Sequence, residues 1–183
     1  MSKLYFYLIL ILILSIVSCT DNDLQPDYKF VPTDVIIKTK GYFTIDKVFE
    51  FINEFGHDVE YVHNGIYNSD LPSDSLEYVL NYINSKPYTN SDGWHASGYV
   101  HYLTNRITVF PRLFDIKNSG YQEDWLHTMD VLKLIEKTDA EVSGYVIYFH
   151  VPEGHEKEWV EKFKKYDFVE WAELNYILEV ELN

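Results

Sequence analysis

The segment GYVIYFHV, residues 144–151, is apolar at nearly every position and restricts the fold more than any other stretch of the chain. A strand with this pattern is typically buried on both faces, which places it near the middle of a sheet. Helical patterns stand on either side of it, at residues 44–56 and 155–167. This order of elements predicts an α+β fold in which helices lie on one face of a mostly antiparallel sheet.

The remaining segments continue the alternation of strands and helices. Residues 58–67 read as a strand interrupted at Asn64 and Gly65, and residues 98–110 as two strands joined near Thr104 and Asn105. The periodicity predicts a helix on the stripe of Leu76, Val79, Leu80 and Ile83, another over residues 123–137, and a long closing strand over 168–183.

A weak internal repeat relates two halves of the chain beyond the N-terminal segment, residues 34–103 and 104–183. The matching positions are Asp58, Glu60, Ile66 and Tyr67 in the first half and Asp139, Glu141, Ile147 and Tyr148 in the second. One interpretation is a tandem duplication of a βαβαβ unit. The other is chance agreement between common residue types.

The N-terminus has a different character. A single Lys3 precedes the apolar run Leu4–Val17, which is shorter than the roughly 20 residues of a membrane-spanning helix. A basic residue, a short apolar run and then small residues predict a secretory signal peptide over residues 1–18.

The motif Ile16-Val17-Ser18-Cys19 resembles the lipobox of bacterial lipoproteins. The resemblance implies cleavage before Cys19, acylation of that residue, and a membrane as partner through the lipid anchor. An ordinary signal peptide with an incidental cysteine is the alternative. Residues 19–33 are polar and read as a flexible tether, so the folded domain is expected over 34–183.

Acidic residues in the tether bear on localisation. Asp21, Asp23 and Asp27 resemble the export signal that carries some lipoproteins to the surface of the outer membrane. A tether that is merely solvated is the alternative. Together with the lipobox, this predicts a lipoprotein of the cell envelope, in the outer membrane.

The charge of the chain excludes one class of partner. It has 15 Lys and Arg against 29 Asp and Glu, and a net charge of −14 at pH 7. Binding to nucleic acid depends on cationic side chains that neutralise phosphates. Nucleic acid is therefore not an expected partner.

The segment VPEGHEKEWVEKFKKYDFVEWAELNY, residues 151–176, is similar to the closing part of the subtilisin-propeptide and proteinase-inhibitor family. The matching residues are Val151, Pro152, Gly154, Val169, Glu170, Ala172, Glu173 and Asn175, and Leu174 replaces the family's proline. The resemblance implies a ferredoxin-like sandwich. It also implies that a tail starting at Asn175, Tyr176, Ile177 and Leu178 binds a subtilisin-like protease by strand addition.

No catalytic pattern is recognisable. The loop SDGWHASG, residues 91–98, holds Ser91, Asp92, His95 and Ser97, but residues so close in sequence seldom form a triad. The histidine spacings do not match a metal site, and phosphate-loop and dinucleotide motifs are absent from the sequence. We therefore expect no enzyme activity, no metal and no cofactor.

Aromatic residues make up 17% of the chain, as 16 Tyr, 11 Phe and 4 Trp. Most of them fall on predicted core stripes, but Trp94 lies in a polar loop, with Tyr99 close behind. Tyr and Trp are frequent at binding surfaces because they combine apolar area with a polar group. The sequence predicts a non-catalytic module that binds an envelope protein or a glycan through Trp94 and Tyr99, with Tyr61 and Tyr67 as further members of the cluster. A free-standing inhibitor or chaperone of a subtilisin-like protease is the alternative.

Overall fold

Two antiparallel sheets form the framework of the computed structural model, which describes residues 29–91, 93–139 and 144–177. The strands are β1 Phe30–Thr39, β2 Asp58–His63, β3 Tyr67–Ser69, β4 Ser97–Val100, β5 Ile107–Phe110, β6 Leu113–Phe114, β7 Leu134–Glu136, β8 Val146–His150 and β9 Val169–Tyr176. The helices are α1 Ile45–Glu54, α2 Leu76–Asn84, α3 Ser119–Val131 and α4 Glu156–Phe163. This mixed composition confirms the predicted α+β class.

Sheet 1 has the strand order β6-β2-β8-β1-β9, with every neighbouring pair antiparallel. Its middle strand is β8, which confirms the position predicted from GYVIYFHV. Ile147 and Phe149 are buried, whereas Val146, Tyr148 and His150 are only half-buried. The prediction of burial on both faces is therefore wrong, because α1 and α4 pack against the face of Ile147 and Phe149 alone.

An aromatic core holds α1 and α4 on this face. The ring centroid of Phe51 in α1 lies 5.8 Å from Phe149 of β8 and 5.9 Å from Phe163 of α4. Edge-to-face ring pairs of this kind add to the free energy gained from burying apolar area. Along α1 the buried residues Val48 and Ile52 follow the predicted helical spacing.

Sheet 2 has the strand order β4-β5-β3-β7 and is also antiparallel. Tyr67 of β3 is fully buried, and its ring centroid lies 5.4 Å from that of Trp125 in α3. Helix α2 packs beside β4 and α3 beside β7. The predicted β4–β5 hairpin is confirmed, and its turn is closed by the His101 N–H, which donates to the Arg106 carbonyl at 2.9 Å.

Two predicted boundaries differ from the observed ones. The helix predicted over 123–137 ends at Val131, because Lys133 adopts a φ of +50° that a helix does not allow, and Leu134–Glu136 forms β7 instead. Strand β1 begins at Phe30, inside the tether predicted to end at residue 33. Of the predicted closing strand, Val169–Tyr176 is observed and residues 178–183 lie outside the described ranges.

The chain between β2 and β8, here called the inserted segment and comprising residues 64–145, forms sheet 2 and also supplies β6 to sheet 1. Its two ends meet, since Asn64 Nδ2 donates a hydrogen bond to the Gly144 carbonyl at 2.8 Å. Gly144 has a φ of +122°, and a Cβ atom there would lie 2.1 Å from the Thr39 carbonyl oxygen. Only glycine fits this position. The predicted half boundary at 103/104 falls in the β4–β5 turn, and the duplication stays a prediction.

A partly buried chain of hydrogen bonds joins the two sheets through Tyr145. The Tyr145 hydroxyl donates to the Glu136 carboxylate at 2.7 Å and lies 2.7 Å from the Tyr67 hydroxyl. The same carboxylate accepts the backbone N–H of Ile45, the first residue of α1, at 2.9 Å. Burial raises the pKa of Glu136, an effect that the hydrogen bonds from Tyr145 and Ile45 oppose. Glu136 of sheet 2 therefore caps a helix of sheet 1.

Within the described ranges, no helix is both long enough and apolar enough to span a membrane.

Replacing Tyr145 by Phe tests this connection. The substitution should lower the free energy of unfolding by about 1–3 kcal/mol, because it leaves the buried Tyr67 hydroxyl and Glu136 carboxylate without a shared partner. Urea denaturation of the variant and the wild-type protein measures the difference. Tyr42→Phe is the matched control, since Tyr42 is 55% exposed, and equal losses in the two variants would contradict the role of Tyr145.

Candidate functional site

Half-buried aromatic side chains lie on the face of sheet 1 that points away from α1 and α4. Tyr61 of β2 and Tyr148 of β8 are paired in register, and their ring centroids are 4.3 Å apart. His63 lies 5.5 Å and Phe114 of β6 lies 5.9 Å from the Tyr61 ring. Successive side chains of a strand point to opposite faces, which is why these rings meet on the side opposite Ile147.

Arg112 lies against this row of rings. Its guanidinium carbon is 4.0 Å from the ring centroid of Trp94 and 4.4 Å from that of Tyr61. Arg112 Nε and Trp94 Nε1 are both buried and have no hydrogen-bond partner in the part of the chain that the structure describes. Over the same residues, Arg112 has no carboxylate within salt-bridge distance. The side chain is thus a cation held by aromatic rings and not neutralised by a described neighbour.

Two adjoining cavities lie near this cation, and Trp94, whose ring contacts Arg112, lines one of them. The smaller, about 240 Å³, is lined by His63, Trp94 and Phe110, and the larger, about 410 Å³, by Tyr99 and Phe110. Ile66 lines both of them, as Phe110 does. The Tyr99 and Phe110 rings are stacked, with centroids 6.0 Å apart and planes 26° apart. We call the surface formed by Tyr61, Trp94, Tyr99, Phe110 and Arg112 the aromatic groove.

Basic side chains line the aromatic groove although the protein as a whole is strongly acidic. The larger cavity is lined by His101, Arg106 and Lys137, and neither Asp nor Glu is part of its lining. Arg106 lies 3.4 Å from Asp70, and Lys137 lies 3.5 Å from Asp139. All four side chains are substantially exposed, so these ion pairs contribute little and are readily exchanged. The groove therefore offers cations to a ligand.

His63 reports the same electrostatic environment. Burial, and secondly the positive charge of Arg112, lower its pKa to about 4. The imidazole is consequently neutral at pH 7 and adds no charge to the groove.

The structure brings together three of the four aromatic residues named from the sequence. Trp94 and Tyr99 line the cavities, and Tyr61 contacts Arg112. Tyr67 is fully buried in the core between sheet 2 and α3, so its inclusion in the cluster is wrong. It pairs with Val109 of β5, and its face of β3 points to the helices.

Sequence reasoning missed Phe110 and Arg112. Both lie in FPRLF, residues 110–114, which connects sheet 2 to sheet 1. The available signal was a single cation between aromatic residues in an acidic chain. The role of Arg112 depends on its contact with Trp94, a residue that is distant in the sequence.

The predicted protease-binding tail begins within β9. Asn175 donates to the Asp34 carboxylate at 2.9 Å, Tyr176 pairs with Phe30, and the Ile177 N–H donates to the Lys29 carbonyl at 2.8 Å. β9 is an edge strand of sheet 1, so only one of its sides is paired within the described strands. Leu178 and the predicted lipidation residue Cys19 lie outside the described residues.

One further polar cluster was not predicted. His150 Nδ1 lies 3.0 Å from the buried Asp34 carboxylate, whose other oxygen accepts from Asn175. The carboxylate orients the imidazole, but among the described residues no hydroxyl or thiol is hydrogen-bonded to His150. The same residues contain no group of three or more His, Cys, Asp or Glu arranged to hold a metal ion.

Comparison of the chain with protein-family models, with curated proteins and with solved structures finds no match. The function is therefore argued from the geometry of the aromatic groove.

Replacing Arg112 by Gln should raise the pKa of His63 from about 4, because the neutral amide removes a nearby positive charge. Burial is the larger cause of the lowered pKa, so the value should stay below the ordinary 6.5. NMR titration of the His63 ring protons measures this shift. Arg112→Lys keeps the charge and is the matched control. An unchanged His63 pKa in Arg112→Gln would contradict the position of the guanidinium beside the imidazole.

Proposed function

We propose that this protein is a non-catalytic lipoprotein of the cell envelope that binds its ligand in the aromatic groove. The observation that supports this most directly is the juxtaposition of Trp94, Tyr99 and Phe110 along two open cavities. Arg112 lies against the Trp94 ring and has no carboxylate partner among the described residues. Concave surfaces lined by aromatic rings with a few polar groups are typical of binding sites. Aromatic side chains and arginine are also the residue types that contribute most to binding free energy.

The envelope location rests on the sequence of the leader. A lipid on Cys19 would tether the folded domain to the membrane through a polar segment, and the acidic residues of that segment favour the outer membrane, with the domain at the cell surface. The anchor would account for the one cysteine in the chain, since a thiol that carries a lipid needs no disulfide partner.

Lipidation predicts a specific change on substitution of Cys19. The wild-type protein expressed in a bacterial host should incorporate a labelled fatty acid and partition into the membrane fraction. Cys19→Ala should lose both, because no thiol is left to acylate. Label retained by the variant would contradict lipidation at Cys19.

Binding in the aromatic groove is tested with immobilised glycans and peptides. Trp94→Ala and Tyr99→Ala should each weaken binding of any ligand that the wild-type protein retains, by about tenfold or more, as expected for an aromatic residue at the centre of an interface. Tyr78→Ala is the matched control, because Tyr78 is 53% exposed and lies on α2, away from the groove. Ligand binding that survives both groove substitutions would contradict the proposed site.

A second candidate, inhibition of a subtilisin-like protease, is favoured by the topology of sheet 1. We infer a ferredoxin-like unit in the order β2-β8-β1-β9, with α1 between β1 and β2 and α4 between β8 and β9. Its edge strand β9 ends at Tyr176, and Tyr176 and the following Ile177 are 47% and 44% exposed. An exposed strand edge can pair with an extended segment of a protease.

The same binding panel distinguishes the two candidates when subtilisin-like proteases are included. The inhibitor hypothesis expects inhibition by the chain from residue 20 onward that disappears when Ile177 to Asn183 are deleted. Groove substitutions should leave that inhibition unchanged. Proteases unaffected by either form would remove this candidate.

A further inference from the structure

The chemistry of the aromatic groove restricts its ligand, and the argument rests on the groove being the binding site proposed above. The guanidinium carbon of Arg112 lies 4.0 Å from the ring centroid of Trp94 and 4.4 Å from that of Tyr61. Aromatic contacts of this kind use the faces of the guanidinium plane. Its N–H donors point outward within the plane. A planar carboxylate, which accepts two parallel N–H bonds, matches that direction.

The state of the donors strengthens this assignment. Arg112 Nε and Trp94 Nε1 are buried without a hydrogen-bond partner among the described residues. Unpaired buried donors destabilise the protein, and each such donor calls for a specific explanation. An acceptor that enters the cavity beside Trp94 would restore the missing interactions once these side chains adjust.

The rest of the aromatic groove fits sugar rings. Tyr99 and Phe110 present stacked rings to the larger cavity, and Tyr99 is 47% exposed. The same cavity is also lined by Asn68 and Thr108, whose side chains are joined by a hydrogen bond of 2.9 Å. Aromatic faces beside amide and hydroxyl groups suit a ligand that has C–H faces and hydroxyl edges.

The net charge of the chain restricts how many charges the ligand carries. At −14 overall, the protein repels polyanions at long range. An isolated carboxylate within an otherwise neutral ligand experiences the least repulsion and still reaches Arg112. The larger cavity adds Arg106 and Lys137, whose solvent-exposed ion pairs can be exchanged for a single anion on the ligand.

We propose that the aromatic groove binds an oligosaccharide that contains one acidic sugar, with the carboxylate of that sugar at Arg112 and the neighbouring sugars along Trp94, Phe110 and Tyr99. The ligand class is thus a mostly neutral glycan with a sparse carboxylate. A peptide with a terminal carboxylate is the competing occupant, and the test includes it.

The experiment measures binding of the full-length protein in detergent to paired probes that differ only in the acid. Lactose is compared with sialyllactose, cellobiose with cellobiouronic acid, and xylotriose with its glucuronic-acid-substituted form. Short oligogalacturonates and peptides with free C-termini are added as polyanionic and peptide probes. Titration calorimetry gives the dissociation constants, and NMR of the Trp94 indole N–H shows whether the probe reaches the groove.

At least one acidic probe should bind on the order of tenfold to a hundredfold more tightly than its neutral counterpart, as expected for a hydrogen bond between charged groups. Arg112→Gln should remove that preference, so that the acidic probe binds no more tightly than its neutral counterpart. Arg112→Lys should retain part of it, because the charge remains and the fork of donors is lost. Tyr99→Ala should weaken the binding of the acidic probe and of its neutral counterpart equally. Tyr78→Ala should weaken the binding of neither.

The outcomes separate this inference from the proposed function. Equal binding of the acidic and neutral members of each pair overturns the acidic-sugar inference and leaves the groove as a binding site. Binding of peptides alone has the same consequence. Absence of binding by every probe overturns the inference, and with the groove panel above it overturns the proposed function as well. Should Arg112→Gln fail to fold, as judged by its thermal unfolding, the preference measured with Arg112→Lys and the shift of the Trp94 indole resonance decide the question.

Discussion

The arrangement of the two sheets depends on one half-buried carboxylate. Glu136 belongs to sheet 2, yet it accepts hydrogen bonds from the first N–H of α1 and from the Tyr145 hydroxyl, just before the middle strand of sheet 1. A carboxylate in this position is costly to bury and becomes acceptable only when its partners are in place. The contact therefore favours one orientation of sheet 2 relative to sheet 1, and with it the geometry of the aromatic groove.

The groove follows from an asymmetry in sheet 1. Both helices of that unit cover the face of Phe149, so none of the described helices of this unit covers the aromatic side chains on the face of Tyr148. The connection from β5 to β6 then carries Arg112 across this face, and Trp94 approaches from the loop before β4. Stable packing on one side and a half-open aromatic surface on the other are thus products of the same strands.

The elements with strong periodicity were predictable from sequence, and the site was predictable only in part. The spacing of Val48 and Ile52 placed α1, and the apolar run at 144–151 placed β8 at the centre of a sheet. The strand at Leu134–Glu136 was missed because its residues continue the helical spacing of α3, and only the positive φ at Lys133 ends that helix. Trp94 stood out by its polar surroundings, whereas the role of Arg112 depends on contacts between residues that are distant in sequence.

The inserted segment has a consequence for how the protein assembles. β8 lies between β1 and β2 in sheet 1, so these two strands pair with β8 and not with each other. β8 is synthesised only after the whole inserted segment, whose ends are held together by the Asn64 bond to Gly144. Pairings between such distant segments are slow because loop-closure entropy must be overcome first. Formation of sheet 2 draws the two ends of the inserted segment together. It therefore lowers the entropy cost of pairing β8 with β1 and β2, and folding of the inserted segment promotes folding of sheet 1.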